Sequence, residues 1–110
     1  IGTSLASQPI AGVPSALAAL IKGGIAAATR SLAIEYAPLG VRVNTIAPGI
    51  IDTPMHARED HAFLERLSPA GRIAKTSEVA DAVLFLEGAT FVSGELLHVD
   101  GGAHAGKWAA

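Results

Sequence analysis

The chain has 110 residues, half of them apolar, with 8 Lys and Arg against 10 Asp and Glu for a formal net charge of −2. That balance excludes a disordered polyelectrolyte, and the lack of a basic excess or stripe excludes a phosphate-tracking nucleic-acid binder. With no cysteine, disulfides, thiolate catalysis and Cys-ligated metals are excluded too, and a cytoplasmic location is predicted. Within the apolar half, 22 residues are Ala; each buries little area, so a thin core is expected. The longest uninterrupted apolar run, Ala16 to Ile21, falls short of the roughly 20 residues that cross a bilayer, so no membrane span is expected. Because the chain opens on Ile1 rather than Met, further sequence upstream is expected.

In chain order, residues 1–14 are small and turn-rich, which predicts a strand end followed by a loop. Pro14 and Ser15 start a helix in which Leu17, Leu20, Ile21, Ile25, Ala28, Leu32 and Tyr36 recur at mostly three- and four-residue spacing. Pro38 ends it and Gly40 turns the chain, after which Val41, Val43, Ile46 and Ala47 read as a buried strand. Pro48-Gly49 closes that strand. An irregular loop follows, then a polar, moderately helical stretch from His56 to Leu67. Ser68-Pro69-Ala70-Gly71 breaks the chain, and Thr76 is expected to cap a helix that stops at Gly88. After a Ser93-Gly94 turn, Glu95 to Val99 reads as a short strand ending at Asp100-Gly101-Gly102, and the tail to Ala110 as loosely structured. Strands alternating with helices predict a parallel sheet covered by helices, although two or three strands cannot complete one.

Four segments carry a family resemblance: R-S-L-A-I-E-Y-A-P-L-G-V-R-V-N from Arg30, I-A-P-G-I-I-D-T-P-M from Ile46, G-R-I-A with E-V-A-D-A-V-L-F-L from Gly71, and F-V-S-G-E-L-L-H-V-D-G-G from Phe91. Their order and spacing resemble the short-chain dehydrogenase/reductase family. The resemblance implies an α/β fold in which residues 1–110 form the C-terminal part of a doubly wound, Rossmann-like domain, incomplete without its N-terminal half. It also implies NAD or NADP as cofactor, a small-molecule carbonyl or alcohol as substrate, and a homo-oligomer. The family's Gly-rich pyrophosphate turn opens a helix after the first strand. Neither Gly23-Gly24, inside a predicted helix, nor Gly101-Gly102, with no helix to open, has that setting.

The resemblance further implies a catalytic Ser, Tyr and Lys. Lys22 matches the Lys, which in the family also contacts the cofactor ribose, and Ser4 matches the Ser. The Tyr position holds Ala18, or Leu17 if one residue is inserted, so the phenol is missing in either alignment. Tyr36 lies about 21 Å along the helix from Lys22 and cannot replace it. Pro48, Gly49, Ile51 and Thr53 match the family's turn beside the nicotinamide, where the Ile backbone and the Thr hydroxyl meet the carboxamide. The histidines, His56, His61, His98 and His104, show no metal-ligand spacing. The expectation is a nicotinamide-dependent oxidoreductase whose isolated 110-residue stretch is inactive; the alternative is a non-catalytic remnant or interaction module.

Overall fold

The computed structural model describes residues 1–108. A 3-10 turn at Ser4–Ala6 leads to helix α1 (Ala16–Tyr36), which a second such turn, Ala37–Leu39, extends. Strand β1 (Thr45–Pro48), a turn at Pro54–His56, helices α2 (His61–Arg66) and α3 (Thr76–Gly88), strand β2 (Leu96–Val99) and a turn at Ala103–Ala105 complete the order. β1 and β2 pair in parallel, with Thr45 opposite Leu96 and Pro48 opposite Val99. Parallel neighbours need a crossover, and α2 and α3 lie within it. The α/β expectation holds.

α1 forms where the apolar spacing predicts, but that spacing does not mark its packed face. Leu17, Leu20 and Ile34 are 70, 75 and 79% exposed, while the buried positions are Thr29 and Ala33. The Thr29 hydroxyl donates to the Ile25 carbonyl at 2.8 Å and hydrogen-bonds Thr45 of β1. Small side chains thus set the distance between helix and strand, and the large ones face outward. The buried apolar side chains are modest, chiefly Ile46, Ala47, Ile51, Leu64 and Leu86, in keeping with a thin core. Counting uninterrupted runs also hid one property: Ala16–Leu39 is, by length and composition, long and apolar enough to cross a membrane. Lys22 breaks that count without breaking the helix.

Other boundaries shift for identifiable reasons. The first strand begins at Thr45 rather than Val41, because the backbone N–H of Val43 bonds the Ser93 hydroxyl at 3.1 Å instead of a neighbouring strand. Asn44 likewise bridges to the Val92 carbonyl and the Glu95 N–H. No strand forms at the start of the chain, where a single rung joins the Gly2 N–H to the Ile46 carbonyl at 2.7 Å. The polar stretch after His56 breaks in two because Asp60 caps α2, its carboxylate accepting from the Ala62 N–H at 2.9 Å. Lys75, not Thr76, is the residue before α3: the Glu78 carboxylate reaches back to the Lys75 N–H at 2.8 Å and also binds Arg72 at 2.6 and 2.9 Å. Arg72 and that backbone N–H hold the Glu78 carboxyl well below its ordinary range, at about 2. The expected loose tail is ordered through Ala105, and its last two residues lie outside the described residues.

The carboxyl end of α3 is closed by a side chain from β1's approach. Arg42 Nη1 donates to the carbonyls of Leu86, Ala89 and Val92 at 2.9 to 3.1 Å, and Nη2 to that of Glu87 at 3.0 Å. A cation there satisfies carbonyls the helix leaves unpaired and opposes the negative end of its dipole. Arg42→Ala is expected to lower the unfolding free energy by ~2–3 kcal/mol, given the usual worth of hydrogen bonds to a charged group. Urea titration would measure this, and Arg42→Lys should recover under half, since an ammonium lacks the planar fork.

Candidate functional site

Parallel strands place their carboxyl ends on one side of a sheet, and ligands of such folds bind there. Here both ends open on one cleft of about 460 Å³, lined by Gly49 after β1, Asp100 after β2, and Ser4, Ile50, His56 and Phe63 among others. Ser4, at the head of its 3-10 turn, is buried in the wall, and its carbonyl accepts from the N–H groups of Ser7 and Gln8 at 3.0 and 2.9 Å.

The turn after β1 depends on a close backbone approach. The Gly49 N–H donates to the Val99 carbonyl at 2.9 Å, carrying the ladder one residue past Pro48. A Cβ at Gly49 would stand 2.8 Å from the Asp100 Cβ and 2.9 Å from its Cα. Ile51, buried next in line, bridges Ala74: the Asp52 N–H donates to the Ala74 carbonyl at 2.8 Å, and the Ala74 N–H to the Ile50 carbonyl at 3.1 Å. In such a bridge the N–H and C=O of Ile51 itself point to the opposite side. Half-buried Thr53 follows, and the Pro54–His56 turn hangs from its carbonyl. Pro48, Gly49, Ile51 and Thr53 therefore lie on one continuous segment, of which Gly49 lines the cleft with Ser4 while Pro48, Ile51 and Thr53 do not. A free backbone donor with a hydroxyl two residues on fits the carboxamide end of a nicotinamide; nothing in this stretch forms a pyrophosphate turn.

Lys22 is placed differently. Its ammonium donates to the Ile1 carbonyl at 3.1 Å, and Lys22 does not line the cleft. Ala18 and Leu17, at the Tyr position, are exposed on α1, and Tyr36 sits at that helix's far end.

Composition and spacing gave no sign of the constellation at the end of β2. The His98 and His104 rings stack at 3.6 Å with 9° between planes. His104 Nδ1 meets both Asp100 oxygens at 3.0 Å, while the N–H groups of Gly102 and His104 donate to the same carboxylate. His98 Nε2 lies 2.8 Å from the Ser7 hydroxyl. The pair links the strand end to the Ser4 turn, and its only trace in the sequence is H-V-D-G-G-A-H. Among the described residues no group of three or more His, Cys, Asp or Glu is placed to hold a metal ion.

An α/β unit with a cleft at the carboxyl ends of parallel strands belongs to the Rossmann class. The chain belongs to the short-chain dehydrogenase/reductase family: residues 1–104 match the family model described as enoyl-(acyl carrier protein) reductase. It is 46% identical over 86 residues to cis-4-hydroxycyclohexanecarboxylate dehydrogenase of Sinomonas cyclohexanicum, covering 74% of this chain and 34% of that protein. It is 45% identical over 91 residues to the 3-oxoacyl-[acyl-carrier-protein] reductase FabG of Vibrio harveyi, covering 78% and 37%. A solved small-chain dehydrogenase in complex with NADPH superposes with a TM-score of 0.82 at 29% identity, over 96% of this chain and 49% of that one. The chain thus spans about a third of the length of the curated relatives it matches.

Two outcomes test this geometry. Gly49→Ala must push Asp100 away and is expected to cost ~1–3 kcal/mol of stability, as overpacking does, read by thermal or urea unfolding. Burial, then the neighbouring His104, lower the pKa of His98 from its ordinary 6.5, against the pull of Asp100. A folded value below the unfolded one means His98 contributes stability in full above the ordinary value and loses it as pH falls through the lowered one. His98→Phe should flatten that limb of a stability–pH curve; an unchanged limb would assign it to another group.

Proposed function

We propose that residues 1–110 form the substrate-side, C-terminal portion of one Rossmann domain in an NAD- or NADP-dependent oxidoreductase acting on a secondary alcohol or its ketone. The cleft that joins Ser4 to Gly49 and Ile50 at the carboxyl ends of both strands carries this reading. The similarity to two carbonyl or alcohol enzymes and to an NADPH-bound structure supports it. When bound, the nicotinamide supplies the hydride. The chain's residues do the rest: the Ile51 N–H and the Thr53 hydroxyl orient the carboxamide, and the Ser4 hydroxyl polarises the substrate carbonyl. With no phenol to tune, Lys22 would meet a cofactor ribose only by releasing the Ile1 carbonyl that its ammonium now binds. The protein works in the cytoplasm as a homo-oligomer.

A second reading, a non-catalytic interaction module, draws on the missing phenol and on the large side chains that α1 turns outward. Monitoring nicotinamide absorbance with NADPH and cyclohexanone separates the two. The 110-residue chain alone is expected to give no turnover, whereas the protein extended upstream through a Gly-rich strand-to-helix turn turns over. Turnover by the 110-residue chain alone would overturn the expected division of labour. An extended protein that associates without turning over would establish the second reading.

A further inference from the structure

If the phenol is absent, the proton for the substrate oxygen must come from another group that reaches the cleft. Three titratable side chains line it: His56, Glu59 and Asp100. Asp100 is already committed, its carboxylate accepting from two backbone N–H groups and facing His104. Glu59 faces His56, with Oε1 2.9 Å from Nδ1. An ionised carboxylate only accepts, so Nδ1 carries the hydrogen of that bond. This leaves Nε2 as the site of proton exchange and fixes the ring by its other nitrogen. The His56 side chain is 20% exposed and that of Glu59 47%, so the imidazole sits in the wall while its partner faces solvent. The same segment leads through Thr53 into the Pro54–His56 turn, so the carboxamide contact and the imidazole belong to one short loop.

We propose that His56 is a catalytic residue that exchanges the substrate proton in place of the family's tyrosine, and that Glu59 is the positioning residue that sets its tautomer. The proposal rests on the oxidoreductase reading above. In the reductive direction the carbonyl carbon receives the hydride supplied by reduced nicotinamide. The C=O π pair moves onto oxygen and takes the Nε2 proton of protonated His56. Products are a secondary alcohol, oxidised nicotinamide and a neutral imidazole that regains its proton from water; oxidation runs the same transfer backwards.

The test uses the protein expressed from its complete reading frame, with NADPH and cyclohexanone as probes. His56→Gln is expected to lower kcat by ~10²–10⁴-fold, the usual worth of general acid–base catalysis, with KM changed less than ~3-fold. Added imidazole should restore at least ~10-fold in His56→Gly, which a merely structural role would not allow. Glu59→Gln should lower kcat with little change in KM and redistribute the His56 hydrogen between Nδ1 and Nε2, read by nitrogen-15 NMR. His61→Gln, outside the cleft, is the control that keeps its rate. A His56→Gln rate within ~3-fold of the parent, or no imidazole rescue, overturns the proton role and leaves the oxidoreductase reading standing. A parent without nicotinamide-linked turnover overturns that reading, and the proton role falls with it.

Discussion

The contact between Gly49 and Asp100 governs the geometry of the site. Two strand ends can share a cleft only if the chain leaving one passes directly against the chain leaving the other, and a side chain at Gly49 would occupy the space of the Asp100 backbone. Once that approach is made, the Gly49 N–H can reach Val99, which carries the ladder one residue past β1. Asp100 is then fixed for its own work, binding the Ala103–Ala105 turn through the backbone and ring of His104. On the other side, the chain leaving Gly49 is aimed at Ala74, and Ile51 turns its free backbone groups away from that bridge. One missing Cβ thus sets both walls.

The same economy explains how α1 meets the sheet. Thr29 and Ala33 are the helix residues buried against it, and Ala33 also faces Gly94, where an added Cβ would lie 3.5 Å from its own. Small residues let the backbones approach, so the buried contact is tight but small in area. The apolar area that would yield more free energy, on Leu17, Leu20, Ile21 and Ile34, remains in solvent. At about 25 cal/mol per Å² removed from water, covering that stripe would add further stability. An Ala-rich sequence is suited to close helix–strand packing, and its thinness as a core is the other side of that fit.

Elements whose signals are local were legible in the sequence. α1 and α3 follow from spacing, helix-forming residues and their stops, and β2 from its flanking turns. The turn from Pro48 to Thr53 is picked out only by its resemblance to the family; within it, the close approach to Asp100 explains why Gly stands at 49. Features made by residues distant in sequence were not legible. Arg42 reaches α3 more than 40 positions away, Ser93 takes the N–H that would have extended β1, and Ser7 meets His98 across almost the whole chain. Periodicity located α1 but carried no information on which face packs within the chain, where Thr29 and Ala33 are the buried positions. Lys22 is the reverse case, a residue found by motif whose ammonium rests on the Ile1 carbonyl outside the cleft.

On the proposed oxidoreductase reading, the absence of the phenol affects the parts of a carbonyl chemistry unequally. Orientation of the reacting carbon depends on backbone geometry, which the β1–β2 register and the 49–53 turn fix without any contribution from the Tyr position. Polarisation of the carbonyl oxygen needs a donor at the wall, the role proposed for Ser4, which lines the cleft. Only delivery of the proton requires a titratable group in direct reach, and general acid–base catalysis supplies ~10²–10⁴-fold, a fraction of a typical enzymatic acceleration. A site preserved in this way keeps the larger share of its advantage in positioning and electrostatics. The remaining demand of the proposed site is therefore narrow: one exchangeable proton, the role proposed for the His56 ring, whose other nitrogen Glu59 engages.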